Sequence, residues 1–164
     1  MNIKKLTLSS MLISFGVILG HLIYIPIGVS KCFPIQHTIN VISAIILGPF
    51  YSTVIAFTVS LLRNILGTGS LLAFPGSMVG ALLAGVLYKV FKNTYLTMLG
   101  EIFGTGVLGA LVAGYMAKYI MGQEISGLFF IYPFALSTIG GTIIAFLILN
   151  IIEFTREGKI IFPK

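Results

Sequence analysis

The sequence predicts an all-α integral membrane protein: a bundle of six transmembrane helices, the second short, with both termini on the cytoplasmic side. Three observations predict it. The chain is 57% hydrophobic and 9% charged, with a mean hydropathy of +1.09, well above the apolar share of a soluble domain. Apolar runs at 6–27, 95–120 and 127–153, and a shorter one at 75–91, approach or exceed the roughly 20 residues that a span requires. The cations are asymmetric. An even number of helices puts Lys4, Lys5, Lys89, Lys92, Arg156, Lys159 and Lys164 on one side against Lys31, Arg63 and Lys118 on the other, and the richer side is cytoplasmic.

Helix 1 follows two lysines, as in a signal peptide, but its run is too long and leads into IPIGVSKCFP with no small-residue cleavage site. It is expected to stay in the protein. It carries two pairs of small residues at four-residue spacing, Ser10 with Ser14 and Gly16 with Gly20, which fit packing inside the bundle or docking of another membrane protein. Helices 2 and 3, at 36–47 and 50–66, are separated by Gly48-Pro49, which a helix cannot cross smoothly. Twelve residues reach about 18 Å, short of a hydrocarbon core of roughly 30 Å. The ends of helix 2 must therefore lie in protein or line a cavity. Small-residue stripes mark packing faces on helix 4 (Gly76, Gly80, Ala84) and helix 6 (Ser137, Gly141, Ala145). Residues 1–164 show no repeat and no linker, so one transmembrane domain is expected.

The net charge of +6 is a topology signal, because the cations sit at loop ends and form no basic face for nucleic acid. A single cysteine, Cys32, excludes an internal disulfide and multi-cysteine metal sites; alone it reads as a small apolar loop residue. The chain has no aspartate, two histidines and no HExxH, so a catalytic constellation is missing and neither metal nor cofactor is expected. A solute-binding membrane protein is the better class.

Polar residues mark the candidate site. Glu101 lies about six residues, roughly 9 Å, into helix 5, where a charge must face a partner or a cavity; Thr97 and Thr105 share its face. It is either a structural partner or a ligand group. Arg63 and Asn64 end helix 3; the guanidinium there can snorkel to the interface, while Asn64 can donate and accept. His37 and Asn40, at the start of helix 2, can cap backbone or reach into a pocket. His21 reads as interfacial. Gly67-Thr68-Gly69-Ser70 is no nucleotide loop, since no Lys-Ser or Lys-Thr follows it, but its glycines permit close backbone approach to a small ligand. Beyond it, Phe74 and Tyr132 could stack on a flat ring or anchor at the interface. A helix 4 N-terminus at Gly76-Ser77 would offer unsatisfied N–H groups.

The run GVSKCFPIQHTINVISAIILGP, continued by LLRNILGTGSLLAFPGSMVGALLAG, resembles the ThiW family, the thiamine-pathway S components of energy-coupling factor (ECF) transporters, and the similarity extends over nearly the whole chain. The resemblance implies a six-helix capture subunit for a thiamine precursor, most plausibly hydroxyethylthiazole, working with a transmembrane T component and two cytoplasmic ATPases. It implies a site toward the outer face, with Lys31 to His37 as lid, Asn64 to Ser77 as floor, and Tyr132 and Ser137 from helix 6. Positive-inside counting puts Glu101 nearer the cytoplasmic side than this site. The family docks its T component through small residues on helix 1, usually alanines; here Ser10 and Ser14 hold that spacing. From the residues alone, a stand-alone carrier with Glu101 as its coupling charge stays open.

Overall fold

The computed structural model describes residues 3–27, 30–123 and 127–154; Arg156, Lys159 and Lys164 of the charge count lie outside them. The described residues form six helices: α1 (Ile3–Leu22), α2 (Pro34–Leu47), α3 (Pro49–Ile65), α4 (Ala73–Phe91), α5 (Thr94–Tyr119) and α6 (Ile131–Phe154), the last preceded by a 3-10 turn at Gly127–Phe130. Among the described residues four apolar helical spans are long enough to cross a membrane: α1, α4, α5 and Leu128–Ile152. Spans of this number and length are those of a multi-pass membrane protein.

The apolar run expected to continue helix 1 to residue 27 breaks after Leu22. Ile25–Ile27 forms a strand, β1, paired antiparallel with β2 (Ser30–Cys32), Ile25 opposite Cys32 and Pro26 opposite Lys31. Pro26 cannot donate within a helix, and the flanking β-branched isoleucines favour extended backbone. Hydropathy alone did not separate the two states.

Helix α2 is the centre of the bundle. Its 14 residues span about 21 Å, so it is short, as expected, and it touches all five other helices. All its residues except Ile46 are buried. It starts at Pro34, which occupies the first helical turn without losing a needed N–H. It ends at Gly48, whose φ of 87° suits glycine and sets up Pro49 as the start of α3. The far half of α2 is oil: Ile42, Ile45 and Leu47 pack with Leu12 of α1, Ile55 and Val59 of α3 and Leu149 of α6. Close approach of α6 depends on Gly141, where a Cβ would collide with the Pro34 carbonyl and meet His37 Cβ at 2.6 Å.

Helix α5 opens at Asn93, whose side chain accepts from the Leu96 amide at 3.1 Å. At Gly104–Gly109 it widens into a π-helical turn, a feature concentrated at functional sites. That turn carries Thr105 inward against α4.

Candidate functional site

The start of α2 faces the N-terminal part of α4, the middle of α5 and the first turns of α6, and these segments bring two polar networks together. At the centre of the inner one is Glu101, which is completely buried. Its Oε1 accepts from Asn40 Nδ2 at 2.9 Å and lies 2.9 Å from His37 Nδ1. The Thr105 hydroxyl is 3.0 Å from Glu101 Oε1 and 3.0 Å from the Gly76 carbonyl, so its one proton serves either acceptor in turn. Asn40 Nδ2 also reaches the hydroxyl of Ser77 at 3.0 Å. Gly80 makes this possible: a Cβ there would collide with the Thr105 hydroxyl and approach Glu101 Oε2 to 2.7 Å. With the carboxylate as acceptor, a neutral His37 carries its proton on Nδ1, which leaves Nε2 an acceptor on a residue that borders the adjoining cavity.

The outer network centres on Arg63. Its guanidinium does not snorkel to the interface as expected; the residue is 1% exposed. Nη1 donates to Gln36 Oε1 at 2.6 Å, Nη2 donates to the Thr68 carbonyl at 3.1 Å, and the plane lies 4.0 Å over the Phe33 ring. Gln36 in turn donates to the Ser60 hydroxyl at 2.8 Å. The reason is local folding: the amides of Thr68 and Gly69 both donate to the Arg63 carbonyl, which curls the loop over the end of α3 while Phe33 covers the other side.

The hairpin is pinned to α6. The Phe33 amide donates to the Ser137 hydroxyl at 2.8 Å, and the Cys32 thiol lies 3.2 Å from the Pro133 carbonyl. Burial pushes the Cys32 thiol above its usual range.

Between the networks lies a cavity of about 80 Å³, lined among others by Phe33, Gln36, His37, Arg63, Ser77, Thr105, Phe134 and Ser137, room for a small ring or a few waters. It adjoins a vestibule of about 480 Å³ bordered by His21, Tyr24, Lys31, Gly67, Thr68 and Phe130. Lys31, Phe33, Gly69, Ser70, Pro133 and Phe134 border both. Aromatic faces beside a few convergent polar groups are the usual make-up of a small-molecule site.

The candidate residues sort into layers. His37, Gly69, Ser70, Ser77 and Ser137 line the cavity, and Gly67 and Thr68 line the vestibule with Gly69 and Ser70. Asn40 and Glu101 stand one layer behind, joined to lining residues by hydrogen bonds. Glu101 is hydrogen-bonded directly to the lining residues His37 and Thr105 and so adjoins the site. Asn64 holds the loop, donating to the carbonyls of Ser60 and Ser70. Phe74 packs on Phe57 at 5.6 Å, and Tyr132 is 65% exposed; neither borders the cavity. Helix α4 begins at Ala73, earlier than expected, and its first amides are spent on the Ser70 and Leu71 carbonyls, so with Pro75 next its N-terminus offers little to a ligand. Arg63 and Phe134 are lining residues that sequence reasoning did not assign to the site; Thr105 also lines it, and its four-residue spacing from Glu101 was the signal. On α1, Gly16 and Gly20 face Val59 and Arg63, while Ser10 and Ser14 are exposed and bond to carbonyls of their own helix.

Comparison with curated proteins and with solved structures returns no match. Residues 6–155 match the family model described as thiamine-precursor transporter protein, and the chain therefore belongs to the ThiW family.

Proposed function

We propose that this protein is the substrate-capture subunit of an ECF-type importer in the cytoplasmic membrane, taking hydroxyethylthiazole from outside. The observation that carries the proposal is the small cavity roofed by Phe33 and the hairpin, with aromatic and hydrogen-bonding walls. Hydroxyethylthiazole needs a face to stack on and partners for a ring nitrogen and a hydroxyl. Phe33 and Phe134 supply faces, and His37, Ser77, Thr105 and Ser137 supply donors and acceptors. The excess of cations at the ends opposite the hairpin supports both termini inside and the cavity outside.

The chain has no nucleotide-binding loop, so the free energy for accumulation comes from two ATPases acting through a T component. Ser10 and Ser14, exposed on α1, form the docking face. Ligand enters past the hairpin, the hairpin closes, and the subunit tilts against its partner to release the ligand inside. A second reading, a proton-coupled carrier, is favoured by one observation, the buried His37–Glu101 pair; uptake driven by a proton gradient in vesicles containing this chain alone would establish it. The test of the main proposal is calorimetric titration of the purified protein with hydroxyethylthiazole, aminomethylpyrimidine and thiamine. Tight binding of the thiazole alone is expected, and binding of none would overturn it.

A further inference from the structure

We propose that the cavity ranks ring ligands by charge, anion over neutral over cation, which narrows its substrate class to thiazoles with a neutral or anionic arm. The inference rests on the capture reading above. Two cations border the cavity, Arg63 from α3 and Lys31 from the hairpin, and among the described residues no carboxylate does.

Arg63 carries the argument. It is 1% exposed, and every partner it has is neutral: Gln36 Oε1, the Thr68 carbonyl and the Phe33 ring. Among the described residues no carboxylate lies within ion-pair distance of it. A guanidinium has five N–H donors, and its Nε, buried, has no acceptor. A buried cation without a counter-charge is costly, and an anionic ligand arm would relieve that cost. Glu101 does not border the cavity: its Oε1 is engaged by His37, Asn40 and Thr105, and its buried Oε2, which has no partner, lies against Gly80 of α4. Lys31 is exposed and borders both cavity and vestibule, its ammonium 5.0 Å from the Tyr24 ring. A cationic ligand thus meets one like charge at the mouth and a second, desolvated one inside. Thiamine, with its thiazolium, and aminomethylpyrimidine, with its ammonium, are cations of this kind.

The test uses three ligands sharing one ring: hydroxyethylthiazole, the thiazole with an acetate arm in its place, and the N-methylated thiazolium. Calorimetry on the full-length protein should give each step of the ranking as about tenfold or more in Kd at low salt, shrinking as salt is raised. Lys31→Gln, at an exposed position, should weaken the acetate more than the hydroxyethyl compound. Thiazolium binding as tightly as hydroxyethylthiazole, or equal losses for both ligands in Lys31→Gln, would overturn the ranking. Silence from hydroxyethylthiazole itself would instead overturn the capture reading, so the two failures are distinguishable.

Discussion

The two halves of α2 are equally buried but chemically opposite. Its first turns carry Gln36, His37, Thr38 and Asn40, each tied to another helix or loop by side-chain hydrogen bonds. Its last turns carry Ile42, Ile45 and Leu47, which only pack. One half positions groups around a cavity and the other holds the bundle together. Polar positions should therefore control binding as well as stability, and apolar ones stability alone.

The largest expected effect tests the polar half at its hub. Glu101→Leu deprives His37 Nδ1 of its acceptor and leaves Asn40 Nδ2 and the Thr105 hydroxyl only Ser77 and the Gly76 carbonyl, a loss of about 3 kcal/mol or more over the three donors, visible as a large drop in Tm in detergent and as lost thiazole binding. A variant that kept both would show that the network is incidental. Next, Ile45→Ala at the apolar end should cost about 2–4 kcal/mol by leaving a cavity, with Kd unchanged wherever the protein remains folded; a matching fall in affinity would erase the contrast between the halves. Gln36→Leu removes the acceptor of Arg63 Nη1 and the donor to Ser60, worth about 1.5–3 kcal/mol, and should lower both Tm and ligand affinity. Smallest is Tyr132→Leu, an exposed side chain outside the cavity wall, with an expected change within about 0.5 kcal/mol and no shift in Kd. Loss of binding there would mean that the ligand sits elsewhere.

The helix count and the shortness of α2 were legible because a span imposes a minimum apolar length and because Gly48-Pro49 interrupts the chain. The hairpin was not, since Ile23 to Ile27 only prolong an apolar run and hydropathy is blind to backbone state. Part of the candidate site was legible as polar residues in or beside membrane helices, among them His37, Asn40 and Glu101. Their pairing was not: His37 and Glu101 are 64 positions apart, and no local pattern links them. Arg63 misled because a guanidinium at a helix end looks like a snorkelling one until the loop that folds over it is known. The π turn of α5 had only its glycines to announce it.

Cys32, the sole cysteine, reports on the roof of the cavity. It is 1% exposed, held against Pro133, with its thiol pushed up by burial, so a maleimide reaches it as a thiolate only when the hairpin lifts, and faster as pH rises. The most direct measurement is the rate of Cys32 labelling with and without saturating hydroxyethylthiazole. Slowing of about tenfold or more, the protection expected if ligand holds the hairpin down by about 1.4 kcal/mol, places capture beneath it; an unchanged rate under conditions where calorimetry registers binding would contradict that.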